Sequence, residues 1–117
     1  MTFTISTADD GTARLAIEGE LDAVSVSEIR GDLEKLLARQ LSRIDVDLSR
    51  LRMVDSSGVG ALVSLYKRAR AQGGSVVVTG LRDQPLAIFR LLRLDRVMVG
   101  ADLSTPTPAG TTTSSKP

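Results

Sequence analysis

With 117 residues, 42% of them hydrophobic and only 3% aromatic, the chain is sized for one domain whose core is built from Leu, Val, Ile and Ala. It has no His and no Cys, which removes imidazole and thiolate chemistry, the usual catalytic triads, most zinc sites and any disulfide. A net charge of +1 makes no case for nucleic acid, and no apolar run approaches the ~20 residues that cross a bilayer, so a cytoplasmic protein without membrane insertion is expected.

Charge is uneven along the chain. Residues 1–55 carry 7 basic and 11 acidic side chains, a net −4, whereas residues 56–117 carry 8 and 3, a net +5. Such asymmetry steers a partner or simply solvates separate faces.

Residues 2–6 alternate polar and apolar, the period of a half-buried strand. Asp9-Asp10-Gly11-Thr12 is a turn, and residues 13–18 resume the alternation, so the chain opens with an antiparallel hairpin. Gly19-Glu20-Leu21-Asp22 breaks the pattern. Ser25-Val26-Ser27-Glu28 fits a capping box with Ser25 as the cap, and Val24 with Ile29 fits a hydrophobic staple. Val26, Ile29, Leu33, Leu36 and Leu37 then follow helical spacing.

Residues 43–48 alternate again, with Ile44, Val46 and Leu48 on one face and Asp45 and Asp47 on the other. After Leu51-Arg52-Met53-Val54 comes Asp55-Ser56-Ser57-Gly58-Val59-Gly60, then a helix with Val59, Leu62, Val63, Tyr66 and Ala69 as its apolar stripe. Lys67, Arg68 and Arg70 complement the dipole at its end, and Gly73-Gly74 stops it. Val76-Val77-Val78 has the look of a strand buried on both faces. Pro85 suits a first helical turn, and Leu86, Ile88, Phe89, Leu91 and Leu92 give a short helix on the sheet. Residues 97–99 fit a last short strand. No internal repeat is visible. From Ser104 the chain is rich in Thr, Ser and Pro and buries too little to order itself, so residues 1–103 are expected as the domain and 104–117 as a disordered tail. The order β-β-α-β-α-β-α-β predicts an α/β fold. A single mixed sheet would begin with an antiparallel hairpin, continue by right-handed β-α crossovers, and carry helices packed on it.

The Asp55-Ser56-Ser57-Gly58 turn is the main candidate for chemistry. A hydroxyl at a helix start lies beside free N–H groups and the positive end of the dipole, where an anion is stabilised. A phosphate there adds about −1.5 to −2 charges to a docking surface without unfolding the domain. Turn chemistry alone leaves a plain N-cap and such a switch level. A serine nucleophile within this chain lacks its base, because Lys67 lies some three turns along the helix from Ser56 at ~1.5 Å rise per residue. Gly58-Val59-Gly60 lacks the rest of either phosphate-binding glycine pattern, and close helix–strand packing accounts for the two glycines. Asp45 and Asp47 suit a solvated outer face better than a metal site. No cofactor is called for.

The combination of Gly19-Glu20-Leu21-Asp22, Asp47-Leu48-Ser49 and Met53-Val54-Asp55-Ser56-Ser57-Gly58-Val59-Gly60 resembles the STAS domain family, and within it the bacterial anti-sigma factor antagonists. The resemblance covers about residues 3–100 and includes Tyr66-Lys67 and Gly73-Gly74. It implies a STAS-like fold and a binding module that is not itself an enzyme. Its implied partner is an anti-sigma factor that is also a serine kinase of GHKL-type fold. Binding frees a sigma factor, phosphorylation ends the binding, and a serine phosphatase restores it. On this likeness Ser56 is the phosphoacceptor and Asp55 holds the turn. Ser57 and Gly58 shape the helix start, with Ser57 as the cap, and Asp22 is a further partner contact. A monomer is the default. The family usually closes with another C-terminal helix, for which residues from Asp102 onward show no pattern. The alternative the likeness allows is a non-phosphorylated STAS interaction module of a scaffold or membrane transport complex. A nucleotide-binding protein is a third reading.

Overall fold

Alternation along four segments turns one row of apolar side chains inward from each strand. The computed structural model describes residues 1–98. They form β1 (Thr2–Thr7), β2 (Thr12–Leu21), α1 (Ala23–Ala38), β3 (Arg43–Val54), α2 (Ser56–Ala71), β4 (Ser75–Thr79) and α3 (Asp83–Leu91), then a 3-10 turn over Leu94–Arg96. The strands lie in the order β1-β2-β3-β4. β1 pairs antiparallel with β2, and β2, β3 and β4 run parallel. The expected hairpin and parallel crossovers are both present. β3 is longer than its alternating stretch suggested, running unbroken to Val54.

Right-handed crossovers between successive neighbours place α1 and α2 on the same face of the sheet. That face carries Ala13, Leu15 and Ile17 of β2, Ile44, Val46 and Leu48 of β3, and Val76 and Val78 of β4, all buried. Val26, Ile29, Leu33, Leu36 and Leu37 of α1 close over it, as the helical spacing predicted. In α2 the stripe centres on Val59, Leu62, Leu65 and Ala69, while Val63 and Tyr66 are only half-buried at its flank. Phe89 of α3 is fully buried and completes the core.

The face turned away from α1 and α2 carries the alternate residues of the strands. Val77 points there and is half-buried, so β4 is not covered on both sides as its unrelieved valines suggested. The triple valine reflects β-branched strand propensity more than double burial. Asp47 and Asp45 sit on this face as charge partners, accepting from Arg14 at 2.7 Å and from Arg43 at 2.6 Å. Among the described residues no group of three or more acidic side chains is placed to hold a metal ion. Val97 and Met98 form a turn and not the expected last strand, both N–H groups donating back to Leu94 O, although buried Met98 still accepts from Val78 N–H at 2.6 Å; Val99 and the tail expected from Ser104 lie outside the described residues.

β3 outruns β4. Their pairing ends at Asp47 and Thr79, and α3 flanks the remaining length of β3. On the edge that β4 leaves open, the last residue of β3 is held by a side chain. Val54 N–H donates to Gln84 Oε1 at 2.9 Å, and Gln84 Nε2 donates to Val54 O at 3.0 Å.

Candidate functional site

Register brings the two singled-out loops together. Leu21 and Val54 are paired at the ends of parallel β2 and β3, so Asp22 and Asp55 leave the sheet side by side. Asp55 N–H donates to Leu21 O at 3.2 Å and ties one loop to the other.

Each aspartate starts a helix. Asp22 and Asp55 have extended backbones, φ −127° and −105°, as an N-cap requires. The Asp22 carboxylate accepts from Ser25 N–H, and that of Asp55 accepts from Gly58 N–H, each at 3.0 Å. Bonds from the Ser25 N–H and hydroxyl hold the Asp22 carboxyl below its ordinary value. Two positive helix ends therefore open on one rim.

This geometry corrects two expectations. Ser25 does not cap α1, which begins at Ala23. Its side chain is buried, and the hydroxyl lies 2.9 Å from both Glu20 O and Asp22 Oδ1, sharing one proton between them. Val24 is 68% exposed, so no staple to buried Ile29 forms. Ser57 does not cap α2 either, because Asp55 fills that role. Ser56 and Ser57 are the first two helical residues, both exposed, and among the described residues neither side chain makes a hydrogen bond. Their hydroxyls are free of structural duty.

Gly58 explains why the turn is tight. A Cβ there would lie 2.5 Å from Leu21 O and 2.6 Å from Val54 Cγ2, so the start of α2 presses directly on the ends of both strands. The packing explanation holds for Gly58 only. Gly60 is exposed, and a Cβ on it would meet nothing within 4 Å. Gly60 lines a groove of about 410 Å³ between α1 and α2, with Ser57 and Ala23 near its open end. The Arg68–Glu34 ion pair spans the two helices further along, at 2.5 and 2.7 Å through both guanidinium nitrogens.

All five residues singled out from the sequence, Asp22, Asp55, Ser56, Ser57 and Gly58, thus meet at one rim. Sequence reasoning missed Gln84, whose amide fixes Val54 next to Asp55, and the apolar exposure of the rim. Met53 is 41% exposed beside Asp55, and Val24 stands on the α1 side. Met53 and Val24 are single exposed apolar side chains on a rim that also carries two unbonded hydroxyls.

The family model described as "Mlab, STAS domain" matches residues 6–100. The anti-sigma-B factor antagonist of Bacillus subtilis is 28% identical, over 87% of this chain and 90% of that protein. The intermembrane phospholipid transport system binding protein MlaB of Escherichia coli is 31% identical, over 68% of this chain and 79% of that one. Among solved structures, the Bacillus cell fate determinant SpoIIAA in its phosphorylated form superposes with a TM-score of 0.70 at 22% identity, covering 86% of this chain and 93% of that one. It shares the mixed sheet and packed helices. The sheet order, the paired helix starts and the matched span together establish that this chain belongs to the STAS domain family.

Proposed function

We propose that the chain is an anti-sigma factor antagonist. It binds an anti-sigma factor that is also a serine kinase of GHKL-type fold, releases a sigma factor, and is switched off by phosphorylation of Ser56. The observation that carries this reading is the free Ser56 hydroxyl. It stands exposed at the first position of α2, while Asp55 alone supplies the cap. A foreign active site reaches it without unfolding the turn.

In the proposed step, Ser56 Oγ attacks the γ-phosphorus of ATP held by the kinase. The bond to ADP breaks, and the hydroxyl proton passes to a base of the kinase. The new phosphate sits over two helix starts whose N–H groups and dipoles favour it locally. To the docked partner it presents about −1.5 to −2 charges where a neutral side chain had been. Repulsion and desolvation then release the complex. A serine phosphatase hydrolyses the ester and restores the hydroxyl.

Asp22, Asp55, Ser57 and Gly58 form the docking rim with Val24 and Met53. The protein is a substrate and binding module, not an enzyme, and works in the cytoplasm as a monomer, with residues 1–103 as the domain and 104–117 as a tail. Among the described residues no helix is long and apolar enough to cross a membrane. The likeness to anti-sigma factor antagonists supports this reading. One observation favours a second reading, a non-phosphorylated module of a membrane transport complex, namely the 31% identity to MlaB.

Titration against the purified anti-sigma factor separates the two. Ser56→Ala is expected to bind like the wild type, and Ser56→Asp at least about tenfold more weakly, a loss of ~1.4 kcal/mol. Equal affinity of all three forms would remove the switch, and a transport subunit as the only binding partner would favour the second reading.

A further inference from the structure

The arginines along β3 and its neighbours differ in how they are used. Near the start of β3, Arg14 pairs with Asp47 at 2.7 Å and Arg43 with Asp45 at 2.6 Å. Near its end, Arg50 and Arg52 join Arg82, the residue before α3, around a shallow polar concavity that also includes Thr2 and Glu18. All three arginines are exposed, and among the described residues none has a carboxylate oxygen within 4.0 Å. Glu18 stands opposite Arg50 in the strand register, so the patch holds three guanidinium side chains and one carboxylate.

This patch borders the rim described above. Arg52 precedes Asp55 by three residues, about 10 Å along a strand, and Arg82 lies two residues before Gln84, which holds Val54. A standard interface covers ~800 Å² per partner, a disc of radius about 16 Å. A partner whose interface is centred on the rim therefore extends as far as Arg52.

The chemistry selects the kind of group they meet. Guanidinium forks bind carboxylates through two parallel hydrogen bonds. Arg50 and Arg52 are two residues apart on β3, with Arg52 at the bulge where the pairing passes from Gly19–Leu51 to Glu20–Met53, and both line the same concavity, so they offer two guanidiniums to one extended chain. The patch is open and runs along the strand, and Glu18 within it opposes a compact, multiply charged anion.

We propose that Arg50, Arg52 and Arg82 form a docking patch for an extended acidic segment of the protein that covers the Ser56 rim. The proposal rests on the preceding reading only for the identity of that partner. The rim offers carboxylates at Glu20, Asp22 and Asp55, and the patch offers cations beside them, so the partner is read by both signs. Opposed charges of this kind set orientation and raise the association rate.

The test is a titration of the full chain with an oligoglutamate peptide, followed by backbone and arginine side-chain NMR. Shifts are expected at Arg50, Arg52 and Arg82, with affinity falling about tenfold between low and physiological salt. Replacing all three by Gln should abolish the shifts, whereas Arg14→Gln with Arg43→Gln should leave them. Thermal melting of each variant controls for folding, and an Arg→Lys triple variant, keeping charge without the fork, should bind with intermediate strength. Shifts confined to Lys67, Arg68 and Arg70, or unchanged binding by the Gln variant, would overturn the proposal. So would tighter binding at the same residues by inorganic pyrophosphate or by phosphatidylglycerol vesicles. No kinase enters this experiment, so its outcome is independent of whether Ser56 is phosphorylated.

Discussion

Asp22-Ala23-Val24-Ser25 and Asp55-Ser56-Ser57-Gly58 leave neighbouring parallel strands through the same turn. In each, an aspartate caps the helix and accepts from the N–H three residues on, at 3.0 Å. In each, that third residue is buried and the two between are exposed. The difference lies in what those positions carry. The α1 start buries a serine whose hydroxyl bonds inward and exposes Ala23 and Val24. The α2 start buries a glycine and exposes two serines. One scaffold therefore yields a structural serine and an available one, and position in the turn decides which is which.

The strongest way to break this comparison is at its third position. Gly58→Ala drives a methyl into Leu21 O and Val54, and should cost about 1–3 kcal/mol in urea unfolding. A neutral result would mean the two turns are not packed as described. Removing either cap comes next. Asp55→Ala should cost about 0.5–2 kcal/mol, and Asp22→Ala should also destabilise, by loss of the cap to Ser25 N–H. The same denaturation assay ranks the two.

Gly60 supplies the opposite sign. With open space around it, Gly60→Ala should stabilise the protein by about 0.4–1 kcal/mol in a thermal melt. The smallest effect is that of pH. Hydrogen bonds from Ser25 hold the Asp22 carboxyl below its ordinary value in the folded state, so its contribution is present above the unfolded value and lost as pH falls through the folded one. The stability gap between wild type and Asp22→Asn should be full near neutrality and close in acid below that depressed value.

Much of this was legible in the sequence because it is local. Alternation gave the inward rows of β2 and β3, and the Asp-Gly turn gave the hairpin. The Asp-Ser-Ser-Gly turn marked where β3 hands over to α2. What was illegible depends on contacts distant in the chain. Ser25-Val26-Ser27-Glu28 fits a capping box, yet α1 begins earlier because β2 ends at Leu21, in register with Val54. Ser57 lost the cap to Asp55 for a similar reason: the strand end aims the aspartate at Gly58 N–H. Gln84 reaches back to Val54 across 30 residues, and no periodicity encodes that. Gly58 and Gly60 look alike in sequence, and only the neighbouring strands separate them.

The central claim is that Ser56, and not Ser57, is the acceptor. The most direct measurement is intact mass and site mapping after incubation of the chain with its cognate kinase and ATP. One phosphate on Ser56, none on Ser56→Ala, and undiminished transfer to Ser57→Ala are expected. Phosphate on Ser57, or on no residue, would contradict it.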